Sequence, residues 1–142
     1  MTSPNLRIQR AGLGDADLLH HAAALFDEAP RDDAIARFLG SDDHHLFLAF
    51  DGDEPVGFVS GVELTHPDKG VEMFLYELGV AEAARRRGVG TALVEALTTL
   101  AIERGCRGMW VLTEEDNEAA IATYRRAGAT KDEPTLLLEW SF

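Results

Sequence analysis

Two groups of residues in this chain have the types and spacing that chemistry needs. The first is basic and glycine-containing. Arg85, Arg86, Arg87, Gly88, Val89, Gly90 and Thr91 follow a β-branched and aromatic run over residues 71–80. They open a segment whose apolar residues Val89, Leu93, Val94, Leu97 and Leu100 recur at helical spacing. A strand, a loop and a helix start leave backbone amides without intrahelical acceptors, and the helix dipole adds partial positive charge at the same end. An anion, a phosphate above all, suits such an end, with Gly88 and Gly90 letting the backbone approach it and three guanidinium groups around it. The alternative is a glycine-containing loop capped by a solvated basic cluster. The second group centres on Glu77. Strict two-residue alternation in the strand puts it on one face with Val71, Met73, Leu75 and Gly79. A carboxylate among apolar neighbours has a raised pKa or a dedicated partner, and both occur at catalytic sites. A backbone amide or an arginine satisfying Glu77 is the structural alternative, and a β-bulge near the strand's end would change the facing.

These groups need elements to hold them. Residues 6–10 alternate as a first strand. Asp15 or Gly14 can cap a helix carrying Leu18, Ala22, Leu25 and Phe26 on one face, and Pro30 restarts a shorter helix through Ala34, Ile35, Phe38 and Leu39 that ends near Gly40. Strands over 46–50, 56–64 and 71–80, joined by short turns such as the one at 51–55, make an antiparallel meander. The helix over 88–103 and an apolar run at 108–112 then require a right-handed crossover to a parallel neighbour. Asp116 or Asn117 can cap a last helix on which Ala120, Ile121 and Tyr124 share a face and which Gly128 stops. There Tyr124 has a structural alternative, a core aromatic with a satisfied hydroxyl. Residues 135–142 read as a terminal strand whose edge a second subunit can complete.

Composition narrows the functional classes. The 142 residues suffice for one core, so a single domain over 1–142 is expected. The formal net charge is −12, and residues 1–79 hold 15 acidic against 5 basic side chains, whereas residues 80–142 hold 10 against 8. Such a chain repels nucleic acid and anionic membranes and attracts cations. No run approaches the roughly 18 apolar residues of a membrane span, and the one cysteine, Cys106, forbids an internal disulfide, so a cytoplasmic protein is expected. Neither nucleophilic chemistry at Cys106 nor a metal site is expected. His20 and His21 point about 100° apart on a helix, and His44, His45 and His66 sit in turns without a compact ligand set.

The run Arg85-x-x-Gly88-x-Gly90 between strand and helix resembles the acyl-coenzyme A pyrophosphate loop of the GCN5-related N-acetyltransferase superfamily, and Asn117 through Gly128 resembles that superfamily's later helix. The resemblance implies an α/β fold with a central mixed sheet flanked by about four helices, acetyl-CoA as cosubstrate and direct transfer to an amine. It also assigns roles. Arg85, Arg86, Arg87, Gly88, Val89, Gly90 and Thr91 would hold the pyrophosphate, Leu78 and Val80 would offer backbone groups to the pantetheine, Asn117 would meet the cofactor arm, and Tyr124 would be the general acid. Glu77 is the candidate base. Asp32, Asp33, Glu77, Glu114 and Asp116 are the candidate acceptor ligands. Residues 74–80, the triple arginine 85–87, 104–111 and 117–128 are similar, more narrowly, to type I aminoglycoside 3-N-acetyltransferases, which implies acetylation of an aminoglycoside 3-amine; the strand edge at residues 135–142 points to a homodimer. An acidic acceptor half suits a polyamine or a basic protein N-terminus equally well, and a non-catalytic acyl-CoA-binding sensor is the competing class.

Overall fold

The computed structural model describes residues 5–142. Five strands form one mixed sheet in sequential order: β1 (Leu6–Arg10), β2 (His44–Asp51), β3 (Glu54–His66), β4 (Gly70–Val80) and β5 (Met109–Trp110). The first four are antiparallel neighbours, and β5 lies parallel to β4. Four α-helices flank the sheet: α1 (Ala16–His21), α2 (Asp32–Leu39), α3 (Val89–Glu103) and α4 (Glu118–Arg126), with short 3-10 turns at Ala23–Leu25 and Glu82–Ala84. This is the mixed α/β architecture expected from the sequence. No described helix is long and apolar enough to cross a membrane.

The alternation of β2 shows how one strand serves two cores. Leu46, Leu48 and Phe50 face α1 and α2 together with Leu19, Ala22, Ile35 and Phe58, while Ala49 and Phe47 face the α3 side with Val59, Met73, Leu75, Leu93 and Leu97. Helix α3 lies close against β3 because two glycines make room for it. A Cβ on Gly57 would come within 3.0 Å of Leu93 and Val89, and one on Gly61 within 2.7 Å of Leu97.

One buried polar cluster ties the sheet to the end of α3. His45 accepts from Arg10 at Nδ1 (2.8 Å) and donates through Nε2 to Glu63 (2.6 Å), and Glu63 also receives Arg104 Nε at 2.7 Å. Burial is the main influence holding the His45 pKa below the ordinary histidine value; Arg10 and Arg104 act the same way and Glu63 opposes them. A histidine whose folded pKa is depressed contributes stability above its unfolded pKa, and loses it as pH falls through the folded value. Urea midpoints measured downward from neutral pH should therefore fall more steeply for wild type than for His45→Gln. Parallel curves would exclude this cluster as the cause.

Two expectations are corrected. Residues 129–142 lie in no helix or strand, so the strand expected over 135–142 is absent, and Leu136, Leu137, Leu138, Trp140 and Phe142 are exposed. The adjoining β5 is only two residues long, against the run at 108–112 that the apolar pattern suggested, and offers little edge to pair with. The second correction concerns β4. Ser60 pairs with Glu77 but Gly61 pairs with Leu75, so Tyr76 is an extra residue, a bulge. Past it the facing shifts: Met73, Leu75 and Leu78 all pack on the α3 side, and Glu77 leaves that face to line a cleft with Leu25 and Phe58.

Candidate active site

The β4–β5 pairing ends where the site begins. Their parallel register covers only Met73 opposite Met109 and Phe74 opposite Trp110. Beyond Phe74 the two chains diverge, and β4 lacks a strand partner on that side among the described residues. Into this wedge opens a cleft of about 280 Å³ lined by Glu77, Leu78 and Gly79 from β4, Val111 and Leu112 beyond β5, and Tyr124 from α4, together with Asp27 and Phe58. An unpaired strand edge presents amides and carbonyls to an extended, amide-bearing ligand.

At the end of β4 the chain turns through Glu82–Ala84, where Ala84 is buried as an anchor, and Arg85 Nε donates to the Val80 carbonyl at 3.3 Å. Arg86 then takes φ 65° and Gly88 φ 79°. Left-handed backbone is ordinary for glycine and costs about 1–2 kcal/mol for arginine. Such strain is characteristic of ligand-holding loops. Gly88 is the N-cap of α3, no side chain caps that end, and the first intrahelical bond runs from Ala92 N to Gly88 O (3.0 Å). The loop thus fits a diphosphate through backbone amides at a helix N-terminus with arginines beside it. Arg87 is turned another way, with its guanidinium paired to Asp51 at the end of β2 at 2.8 Å.

Helix α4 sets Tyr124. Asn117 Oδ1 accepts from Ala120 N at 3.2 Å and fixes the helix start, while a Cβ on Gly90 would lie 3.2 Å from Thr123 Cγ2, so α4 rests directly on the first turn of α3. Tyr124 packs partly against the α3-side core, and burial pushes its pKa up, so the phenol keeps its proton. Glu77 lines the same cleft from β4. Its pKa is raised as well, first by burial and then by the Asp27 carboxylate, an effect tempered by the solvent it still meets. A carboxylate with a raised pKa and a protonated phenol therefore line one cleft.

The other expected residues are distributed unevenly. Leu78 lines the cleft, whereas Val80 lies at the start of the arginine loop and Asn117 spends its side-chain oxygen on the helix cap. Asp32 is held by His20 (2.7 Å), and Asp33 by Arg31 (2.9 Å) and the Ala34 amide (2.9 Å); neither lines the cleft. Glu114 and Asp116 are exposed in the connection before α4, also outside it. The acid that does reach the cleft, Asp27, was missed. It sits in irregular chain after Ala23–Leu25, held near β3 by the ring contact of Phe26 with Phe58 (4.7 Å between centroids), and no periodic pattern points to it.

Known proteins share this fold and much of this sequence. An aminoglycoside acetyltransferase, meta-AAC0020, from an uncultured soil metagenomic sample shares the fold at a TM-score of 0.89 and 20% identity over 97% of each chain. A second, HMB0005, also from an uncultured soil metagenomic sample, is 28% identical with a TM-score of 0.83 over 96% of this chain and 99% of its own. The mycothiol acetyltransferase of Nocardia farcinica (strain IFM 10152) is 36% identical over 134 residues, 87% of this chain. The chain spans less than half the length of the mycothiol acetyltransferases it matches, 44% in that case. The Acetyltransferase (GNAT) family matches residues 16–129, which include the arginine loop, Glu77 and Tyr124. Sequence and fold lead to one conclusion: the chain belongs to the Acetyltransferase (GNAT) family.

Proposed function

We propose that this chain acetylates a cationic small-molecule amine by direct transfer from acetyl-CoA, and that the 3-amine of an aminoglycoside is its leading acceptor. The observation that carries the reading is the shared cleft of Glu77 and Tyr124, with Asp27 beside them as a second negative charge. An amine attacks only when neutral, and an unperturbed alkyl ammonium with a pKa of about 10.4 is almost wholly charged near pH 7. Glu77 takes that proton, directly or through one water. The amine nitrogen then bonds to the thioester carbon as the carbon–sulfur bond breaks, Tyr124 gives its phenolic proton to the departing sulfur and regains one from the acylated nitrogen, and the proton held by Glu77 passes to solvent. Arg85, Arg86 and the amides at the start of α3 hold the diphosphate, and the free edge of β4 aligns the pantetheine. Acidity of the cleft and the 28% identity to HMB0005 support the aminoglycoside acceptor. The similarity to mycothiol acetyltransferases favours a second reading, acetylation of the amine precursor of mycothiol.

One assay separates these acceptors. CoA release should be followed with gentamicin, kanamycin, spermidine, a basic peptide and the mycothiol precursor, and each product mapped for the acetylated nitrogen. The leading reading expects gentamicin to give the highest kcat/KM with acetyl on its 3-nitrogen. Faster turnover of the mycothiol precursor would replace it with the second reading, and release with none of the amines despite acetyl-CoA binding would favour a sensor.

A homodimer belongs to the same proposal. The exposed leucines and Trp140 of residues 135–142 alternate little and resemble a buried strand more than a solvated tail, and a second copy is a source of the missing partner. Sedimentation should give twice the 15.5 kDa chain mass, and removal of residues 130–142 should give the monomer. A monomeric 142-residue chain would contradict it.

A further inference from the structure

The two glycines of the arginine loop serve different ends. Gly88 takes the left-handed φ of 79° at the N-cap, whereas Gly90 lies within the first turn of α3 and has no positive φ. Alanine is the better helix former, so the bare Cα of Gly90 answers a need other than backbone conformation. A Cβ there would stand 3.2 Å from Thr123 Cγ2, against ordinary contact distances of 3.7 Å to Val80 Cγ2 and 3.9 Å to Leu78 Cδ2. The tight neighbour is thus α4, and its side chain cannot readily turn away. Thr123 Oγ1 donates to the Ala119 carbonyl at 2.9 Å, and a β-branched residue has few other rotamers on a helix. Nor can α3 retreat, because Val89, Leu93, Val94 and Leu97 along it are buried in the core, whereas no residue of α4 is fully buried. A methyl group at residue 90 would therefore move α4 as a body by a few tenths of an ångström.

We propose that Gly90 is a positioning residue for Tyr124: its bare Cα is the seat on which Thr123 rests, and the seat sets how far the phenol reaches into the cleft. The inference rests on the transferase reading of Tyr124 and extends it to the helix that carries the phenol. Thr123 and Tyr124 are consecutive, so whatever moves Thr123 carries Tyr124 with it. Tyr124 lines the cleft and packs only partly against the core, so its depth follows the seating of α4. A proton donor acts over hydrogen-bond distances, and a misplacement of about 1 Å can cost about 10²-fold in rate. The backbone amide of residue 90, by contrast, is the same in glycine and alanine. The diphosphate would lose nothing from an added methyl, which faces α4 and the end of β4. The first turn of α3 thereby gauges both ends of the cosubstrate: its amides meet the phosphates, and its bare Cα spaces the acid from the thioester.

The test compares wild type with Gly90→Ala, Thr123→Ser, the two combined, and Gly90→Ala combined with Tyr124→Phe, using the best acceptor of the amine panel. Gly90→Ala should lower kcat about tenfold, with acetyl-CoA affinity by calorimetry within about twofold of wild type. Thr123→Ser removes Cγ2 and keeps the hydroxyl that bonds Ala119, so alone it should be near neutral and in combination it should restore kcat. In the Tyr124→Phe background, Gly90→Ala should cost nothing further, since the group it displaces is already gone. With Tyr124→Phe slow, the inference is overturned by an unchanged kcat in Gly90→Ala, by a loss that appears in acetyl-CoA affinity, or by one that Thr123→Ser does not restore. A loss that adds fully to that of Tyr124→Phe overturns it as well. Spectroscopy separates the seat from the chemistry. The chain has two tyrosines, so with ring-labelled tyrosine the Tyr124 signal is identified by its loss in Tyr124→Phe. It should move in Gly90→Ala and return when Thr123→Ser is added. A signal that moves and returns while Tyr124→Phe keeps wild-type turnover would refute Tyr124 as the acid and spare the seat. An unmoved signal in a protein where Tyr124→Phe is slow would do the reverse.

Discussion

Replacing Glu77 by glutamine should slow amine acetylation by about 10²- to 10⁴-fold, the usual worth of a positioned general base. The amide keeps the shape of the carboxyl but accepts no proton from the ammonium, so the loss should appear in kcat. Acetyl-CoA affinity should change little, because the groups proposed to hold the cosubstrate are the β4 edge and the arginine loop. Stability gives a second readout. The fold raises the Glu77 pKa, mainly by burial, and so favours its uncharged form; that contribution is present at low pH and is lost as pH rises through the raised folded value. At neutral pH the Glu77→Gln protein should thus melt no lower than wild type, which tells a lost base from a lost fold. A variant that turns over at the wild-type rate would remove Glu77 from the mechanism.

Tyr124→Phe should cost a rate factor of the same order, about 10²-fold or more. Only the hydroxyl is removed, and the ring still packs against the α3-side core where Tyr124 sits, so the melting temperature should hold. Burial that raises the phenol's pKa keeps the acid loaded through neutral pH. The consequence is specific: the deficit should shrink with an acetyl thioester whose thiol is more acidic, because a better leaving group needs less protonation. A deficit independent of the leaving group would indicate that Tyr124 shapes the cleft and does not donate.

How much of this was legible in the sequence follows from what kind of signal each residue leaves. Residues 85–91 were legible because a helix start without a side-chain cap, two glycines and clustered arginines are local features, and the left-handed Gly88 fits the expectation. The helix over 117–128 was legible for the same reason, since Asn117 caps it and Gly128, at φ 112°, follows its end. The facing of Glu77 was not. A two-residue period assumes unbroken pairing, and the bulge at Tyr76 is a property of β3 and β4 together that neither strand's composition announces. Acidic residues were harder still. Asp32 and Asp33 looked available because acids count as charge in a sequence, whereas in the fold His20, Arg31 and a backbone amide engage them. Asp27 reaches the cleft only because a 3-10 turn and the Phe26–Phe58 contact redirect irregular chain. The apolar residues 135–142 read as a strand, yet strand propensity forms no sheet without a partner.

The claim at the centre of the account is that Glu77 receives the amine's proton from a cleft it shares with Asp27. Its most direct test is the dependence of kcat/KM on pH for wild type, Asp27→Asn and Glu77→Gln with one good acceptor. Because the base works only when ionised, wild-type activity should fall as pH drops through a value above the ordinary glutamate range. Asp27→Asn, which removes the like charge, should move that fall to lower pH. Glu77→Gln should lack it altogether. An identical acid limb in all three proteins would contradict the account.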